Sequence, residues 1–340
     1  MIKMQKIESK ETWEAFIGSH KEANFLQSWY WGEFQKSIGK EVEYLGFYNG
    51  LTLVGICLVI IEKAKRGTYL TVAGGPILDW SNTELLNGCF ESLKTLATEH
   101  KASFVRVRPQ LVENELSSAI FNKYGFSPAP MHLTADLTSQ IDLSRSEEEL
   151  LEGMRKTTRY EIRKAEKLGV TVSTSLNVDD IDSFYELQLQ TSLRQKFVPF
   201  SLSFLKEQFR VFVQNNNALL YRTYLGKTLL AEAFIIFYGQ EATYHYGAST
   251  DDGRKVPGAY LLQWEAIKEA KRRGLSRYNL WGVAKPEQTS HRFYGVSIFK
   301  RGFGGQDVAY VPAQDLVIDR LRYSVNYVIE LARRKVRKLG

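Results

Sequence analysis

The chain has 340 residues, 44% of them hydrophobic and 24% charged, which excludes a disordered polymer and is too long for one ordinary core. Its formal net charge of +7 favours polyanionic partners: nucleic acid, phosphate-bearing substrates or an anionic membrane surface. Two cysteines, Cys57 and Cys89, are too few for a disulfide scaffold or a cysteine metal cluster and suit a reducing compartment. The opening stretch MIKMQKIESKETWEAF lacks the apolar block of a secretory signal. The longest apolar run, Leu51 to Ile61, falls short of the roughly 20 residues needed to cross a bilayer, so a cytoplasmic protein is expected.

In chain order, the first strong signal is a hairpin. YLGFYNGLTLVGICLVI, from Tyr44, reads as strand, tight turn at Asn49-Gly50, and strand, with Cys57 in the core-like run. TYLTVAGGPILDW (68–80) is a third strand ending in small residues. An amphipathic helix from Asn82 to His100 follows, carrying Cys89, and then a strand, SFVRVRP (103–109). The same order returns later. LLYRTYLGKTLLAEAFIIF, from Leu219, turns at Gly226-Lys227; TYHYGASTDDGRK (243–255) is the third strand; a helix runs from Pro257 to Arg273; SRYNLWG (276–282) closes the unit. An offset of 176 lays Gly50 on Gly226, Leu53 on Leu229, Gly55 on Ala231 and Leu58 on Phe234.

This order resembles the acetyltransferase-like (GNAT-like) fold. It predicts an α/β (α+β) chain of two such domains with mixed sheets: 1–145, 146–315 with a basic helix at 150–169, and a basic amphipathic helix at 316–340. In that fold the loop after the third strand cradles a cofactor pyrophosphate. Here Arg254-Lys255-Val256-Pro257-Gly258-Ala259 places a proline without an N–H in the loop, with the spacing off by one, and Gly74-Gly75-Pro76 is followed by acidic Asp79. An acetyl-CoA site is disfavoured in both halves, and no cofactor is expected.

Three segments can carry chemistry. Leu150 to Gly169 reads as a single helix ended by glycine, with Arg155, Arg159 and Arg163 on one face and Lys156, Lys164 and Lys167 widening it. That face either grips phosphates or is simply solvated. Ser297 to Gly305 reads as a strand ending in the pair Lys300-Arg301 and a glycine-rich turn. A lysine there suits an oxyanion in a partly dry site, or is a basic strand edge. The tail from Asp315 reads as a basic amphipathic helix. Leu316, Leu321, Val325, Val328 and Ile329 form its apolar stripe, and Arg333, Arg334, Lys335, Arg337 and Lys338 crowd its end. It is open to capping the sheet, touching RNA or lying on anionic lipid. The five histidines show no metal spacing, and no nucleophile motif is present; His245, in a strand bordering the expected cleft, stays open.

Together these segments resemble the Fem family (FemABX-like) of non-ribosomal peptidyl transferases. The marks are Phe25-Leu26-Gln27-Ser28 with Trp29, Trp31 and Gly32; Gly74-Gly75-Pro76; RYEIRKAEKLG from Arg159; YHYGAS at 244–249; and FKRGFGG at 299–305, followed by Tyr310 and Asp315. The resemblance implies that an amino acid moves from aminoacyl-tRNA to an amine on the stem peptide of a lipid-linked or UDP-linked muramyl-peptide precursor, with no metal or organic cofactor. It also implies site residues: Lys300 for the oxyanion with Phe299 shaping its pocket, Lys36 beside Trp31 for a phosphate of the acceptor carrier, Arg108 and Tyr246 as wall residues, and Arg155, Arg159, Arg163 and Lys164 for tRNA phosphates. Members with a nucleotide-linked acceptor carry an arginine and a tyrosine beyond the basic helix. Arg194 is present here, but the later positions are Phe200 and Phe204, which favours a lipid-linked acceptor. The helical arm of larger relatives is absent between Ser201 and Tyr221. A monomer in peripheral contact with the inner membrane face is expected. The competing readings are a CoA-dependent N-acyltransferase, a non-catalytic RNA- or membrane-binding module, and aminoacyl transfer to a protein N-terminus.

Overall fold

The computed structural model describes residues 2–195 and 198–336; the side chains of residues 194, 195, 335 and 336 lie outside that description. The chain folds into two units, 1–136 with 309–340, and 137–308.

The first unit contains β1 (Ile2–Lys6), α1 (Lys10–Gly18), α2 (Trp29–Ser37), β2 (Glu41–Asn49), β3 (Thr52–Ala64), β4 (Gly67–Ala73), β5 (Ile77–Leu78), α3 (Thr83–Glu99), β6 (Phe104–Arg108), α4 (Glu115–Lys123) and β7 (Phe126–Pro128). The second contains β8 (Leu137–Asp142), α5 (Glu147–Gly153), α6 (Lys156–Lys167), β9 (Val170–Ser175), α7 (Ile181–Gln195), α8 (Leu202–Val213), β10 (Ala218–Leu225), β11 (Thr228–Tyr238), β12 (Glu241–Ser249), α9 (Asp252–Lys255), α10 (Gly258–Arg272), β13 (Arg277–Gly282), α11 (Tyr294–Arg301) and β14 (Gln306–Ala309). The chain then returns to the first unit as β15 (Gln314–Val317) and α12 (Arg320–Val336). The sheets run β1-β2-β3-β4-β6-β15-β7, with β5 on β3, and β14-β8-β13-β12-β11-β10-β9. Each holds one parallel pair, β4–β6 and β12–β13, joined by a long helix, α3 or α10.

The duplication extends to the hydrogen-bond register. Phe47 pairs with Gly55 and Tyr48 with Leu53, so β3 carries a bulge. At the offset of 176, Thr223 pairs with Ala231 and Tyr224 with Leu229. Both hairpins turn on a glycine with positive φ, Gly50 (63°) and Gly226 (58°), a backbone conformation that costs other residues steric strain. The helices start and stop where their sequences direct. Asn82 caps α3 by accepting from the Leu85 amide (3.0 Å), and Leu85, Leu86, Cys89, Phe90, Leu93 and Leu96 face the core at helical spacing. In α10, Leu261, Leu262, Ala266, Ile267 and Ala270 do the same. Cys57 and Cys89 are free and buried in the first core.

The observed division differs from the one at 145/146 and 315/316. β8 belongs to the second sheet beside β13, and Gln314–Val317 is a strand between β6 and β7, where the sequence suggested the start of a helix. Burial of Asp315 explains the strand. Its carboxylate accepts from Arg106 Nε (2.7 Å) and Nη2 (2.8 Å), a two-point pair deep in the sheet, and from the Tyr323 hydroxyl (3.0 Å). Arg106 also donates to Glu330 on α12 (2.8 Å). Gln27 and Asn24 bring two of the sequence marks together. Gln27 Nε2 donates to Ala73 O (2.8 Å), its Oε1 accepts from Leu58 N (2.8 Å), and Asn24 Nδ2 donates to Gly74 O (2.8 Å). A side chain at Gly74 or Gly75 would collide with these amides, which is why glycines stand there. The two amides fill the gap where β3 leaves β4.

Replacing Asp315 by alanine strands the Arg106 guanidinium in a buried site. The expected loss is about 3–5 kcal/mol, read as a lower urea midpoint, whereas Glu113→Ala at an exposed position should leave the midpoint nearly unchanged.

Candidate active site

In the second unit the parallel strands stay together for three residue pairs, Glu241–Arg277, Ala242–Tyr278 and Thr243–Asn279, and then part. The first unit's parallel pair continues from Leu70–Val105 to Ala73–Arg108, and Gly74 N still donates to Arg108 O (2.8 Å). Both strands of the second pair are bulged where they separate. Tyr246 and Tyr244 sit opposite consecutive residues of β11, leaving His245 extra, and β13 carries an extra residue between Asn279 and Gly282 against β8. Bulges of this kind redirect side chains.

A buried carboxylate fastens the closed end. Glu241 accepts from Arg277 Nε (2.8 Å), Asn279 Nδ2 (3.2 Å) and Thr243 Oγ1 (2.9 Å). Asn279 then shapes the open end: its Oδ1 accepts from the Trp281 amide (2.8 Å), holding Trp281 at φ 63°, a costly conformation for so large a residue. The next carbonyl, of Gly282, accepts from Lys300 Nζ (2.8 Å).

Lys300 reaches this point from α11. The segment was expected as a strand; it is a helix because its inward positions, Ser297, Lys300 and Arg301, recur at helical spacing and all meet the backbone after β13. Ser297 Oγ accepts from Ala284 N (2.8 Å), and Arg301 Nη2 donates to Ala284 O (2.6 Å). Lys300 is 8% exposed, and the Tyr244 ring lies 5.6 Å from its ammonium. Loss of hydration lowers its pKa from the ordinary 10.5 to about 7. Of its three N–H donors, one is used by Gly282, and no other hydrogen bond to it is made among the described residues. On the neighbouring strand, the Gln208 side-chain amide and His245 Nε2 are hydrogen-bonded (2.9 Å). Burial lowers the His245 pKa to about 3, so the ring is neutral. Tyr246 packs on His245 (3.9 Å between centroids) and on Phe200 (5.4 Å), and Trp281 lies 6.1 Å from His245.

The other expected residues are distributed as follows. Phe299 turns into the core against Tyr260 (4.9 Å) and Phe303 (5.2 Å). Lys36, Trp31 and Arg108 belong to the first unit. Lys36 is half exposed, pairs with Glu33 (3.0 Å) and lies 4.7 Å from the Tyr44 ring. Trp31 packs on Phe25 and Phe34. Arg108 is buried, donating to Gln110 Oε1 (2.7 Å) and Ala135 O and facing the Tyr310 ring. The side chain of Arg194 lies outside the described residues.

The stretch expected as one basic helix is two, α5 and α6, broken at Met154-Arg155, where both residues are extended in ψ. Arg159 Nη1 donates to the carbonyls of Glu152 (2.9 Å) and Met154, so it closes the C-terminus of α5. Arg155 and Arg163 are exposed, and Lys164 lies 3.9 Å from Glu161. Glu241, Asn279, Trp281, Ser297 and Gln208 were not singled out from the sequence. The only local signal was an asparagine just before the strand-ending Trp281-Gly282.

The residues do not fit a CoA pyrophosphate at the start of α10. Pro257 has no N–H, Gly258 N already donates to Val256 O (2.7 Å), and a side chain at Gly258 would meet Thr223 and Leu230. Elsewhere, Glu41, Glu43 and His100 bring ligand-type atoms within 4.8 Å, but Lys63 and Lys6 pair with the two carboxylates at 2.8 Å each.

A family model described as the FemAB family matches residues 8–124, 125–225 and 221–330. Lipid II:glycine glycyltransferase from Staphylococcus aureus (strain USA300) is 20% identical, with 92% of each chain covered. Among solved structures, the crystal structure of FemX superposes with a TM-score of 0.86 at 18% identity, covering 95% of this chain and 99% of that one. A tandem GNAT protein from the clavulanic acid biosynthesis pathway gives 0.61 at 10% identity, covering 94% and 99%. These likenesses establish the fold as tandem GNAT-like.

Between pH about 7 and 10.5 the unfolded chain holds the Lys300 proton more readily than the folded one, so this lysine's burial costs stability most below pH 7. Lys300→Met should therefore be more stable than the parent below neutrality, with the gap in urea midpoint closing as pH rises towards 10.5. A gap that does not change with pH would contradict the depressed value.

Proposed function

This chain belongs to the FemAB family, and on that premise we propose that it transfers an amino acid from aminoacyl-tRNA to an amine on the stem peptide of a peptidoglycan precursor. The reading carries over from the glycyltransferase relative only the class of reaction and of acceptor, a lipid-linked muramyl peptide, with the UDP-linked form as the alternative. A cytoplasmic setting, where charged tRNA is found, goes with it.

The chemistry asks little of the protein's own nucleophiles. The acceptor amine attacks the ester carbonyl carbon and a tetrahedral oxyanion forms. The bond to the tRNA ribose oxygen breaks, the amide forms, and the proton lost by the amine ends on the ribose hydroxyl. Orientation and oxyanion stabilisation supply most of the rate. The observation that carries the proposal is the buried Lys300 ammonium, with unused donors beside the parted strands. In such a dry place a cation stabilises a developing oxyanion far more than it would in water. Asn279 acts as a positioning residue, through the Trp281 amide to the Gly282 carbonyl that holds Lys300. Arg155 and Arg163 are the cations free to meet tRNA phosphates, whereas Arg159 is engaged in the fold.

The decisive experiment incubates the protein with a pool of charged tRNAs and either lipid-linked or UDP-linked muramyl pentapeptide, read by mass spectrometry. No adduct of any amino acid on either acceptor overturns the proposal. Lys300→Met should lower kcat by about 10²–10³ with acceptor affinity retained, and kcat/KM of the parent should fall as pH rises through about 7, as the cation is lost.

The two kinds of arginine separate in a second measurement. Arg155→Glu with Arg163→Glu should weaken tRNA binding and flatten its salt dependence without moving Tm. Arg159→Ala should lower Tm.

A further inference from the structure

Helix α12 is amphipathic in the wrong sense for a helix that only caps a sheet. Its inward residues are polar. Glu330 pairs with Arg106 (2.8 Å), Asn326 Nδ2 donates to Arg66 O (3.4 Å), and Tyr323 donates to Asp315 (3.0 Å). Three of its apolar residues point out, Leu321 (84% exposed), Val325 (60%) and Val328 (65%), while Ile329 and Leu331 are partly buried. With exposed Ala332 the three outward residues stand at i, i+4, i+7 and i+11, one continuous stripe. Arg320 borders the stripe on one side, Arg322 and Arg333 on the other, all exposed. Of the nearby carboxylates, Glu330 is turned inward to Arg106, and Asp319, which accepts from the Leu321 and Arg322 amides, also pairs with the Arg322 side chain (3.4 Å); among the described residues Arg320 and Arg333 are left without a carboxylate, one on each margin.

We infer that the outward face of α12 docks on an anionic lipid bilayer, with Leu321, Val325 and Val328 entering the acyl boundary and the flanking arginines meeting lipid phosphates. Charge and shape select this occupant. An apolar stripe between two cationic margins is the pattern of a helix lying in a membrane interface. RNA would take the arginines and gain nothing from the stripe. A second copy would bring like-charged margins together. The inference stands apart from the transfer reading, because vesicle binding is read without any reaction.

The test is co-sedimentation of the full chain with vesicles of phosphatidylglycerol mixed into phosphatidylcholine, and with phosphatidylcholine alone. Binding to the anionic vesicles only, weakened at least about tenfold by Leu321→Ser/Val325→Ser/Val328→Ser, is the expected result. These side chains face solvent, so Tm should be unchanged, and Arg320→Glu/Arg333→Glu should weaken binding in the same way. Absence of binding to the anionic vesicles, or binding that the triple variant leaves intact, overturns the inference. So does a dimer by light scattering that the triple variant dissociates, or a tRNA gel shift that it abolishes.

Discussion

The second unit is organised by the point at which two parallel strands let go of each other. Parallel strands inside a sheet lose a ladder bond for every residue pair that separates, and the freed amides and carbonyls must find other partners. Here they do. Asn279 accepts the Trp281 amide, Lys300 takes the Gly282 carbonyl, and Ser297 and Arg301 take the two polar groups of Ala284. Glu241 keeps the separation from running further, because a carboxylate with three donors, buried below the fork, cannot be pulled open cheaply. α11 is therefore held by the backbone that the parting of the strands exposes, and Lys300 sits where it does because that backbone needs a donor.

The two units show what duplication kept and what it released. The hairpin register and its bulge are retained at a constant offset, since a slip of one residue would turn every core side chain outward. The parallel pair was free to diverge. In the first unit it stays closed, and the nearby gap between β3 and β4 is filled by Gln27 and Asn24. The marks Phe25-Leu26-Gln27-Ser28 and Gly74-Gly75-Pro76 are one feature: two amides and the two glycines that admit them. Packing accounts for the joint presence of these residues in the sequence.

Much of the fold was legible in the sequence because it rests on local rules. Glycine turns, helix caps and hydrophobic spacing placed the second hairpin, α3 and α10 to within a residue of their ends, and the first hairpin's turn correctly, though its strands reach three to four residues further at each outer end. The errors share one cause: the deciding partner is distant in sequence. Ser297 to Gly302 looks like a strand until the backbone of residues 282–284 supplies acceptors on one side. Gln314 to Val317 looks helical until Arg106 neutralises Asp315 within the sheet. The break at Met154-Arg155 is stabilised by the backbone bond from Arg155 N to Gly302 O (2.9 Å), which nothing in the local sequence announces.

The basic residues show the same limit most sharply. A net charge of +7 suggests a surface ready for polyanions, yet burial and pairing decide which cations are available. Arg106, Arg222 and Arg277 are matched to buried carboxylates, while Arg159 and Arg301 bind backbone carbonyls. Such arginines are engaged in the fold. Lys300 differs in kind: an ammonium buried without a carboxylate, its charge weakened by desolvation and its donors only partly used. Burying it that way costs stability, and the Gly282 carbonyl it satisfies asks for a donor, not for a charge. A costly charge whose fixed partner is a single carbonyl, with donors left over, is what a site that must meet a transient negative charge would keep.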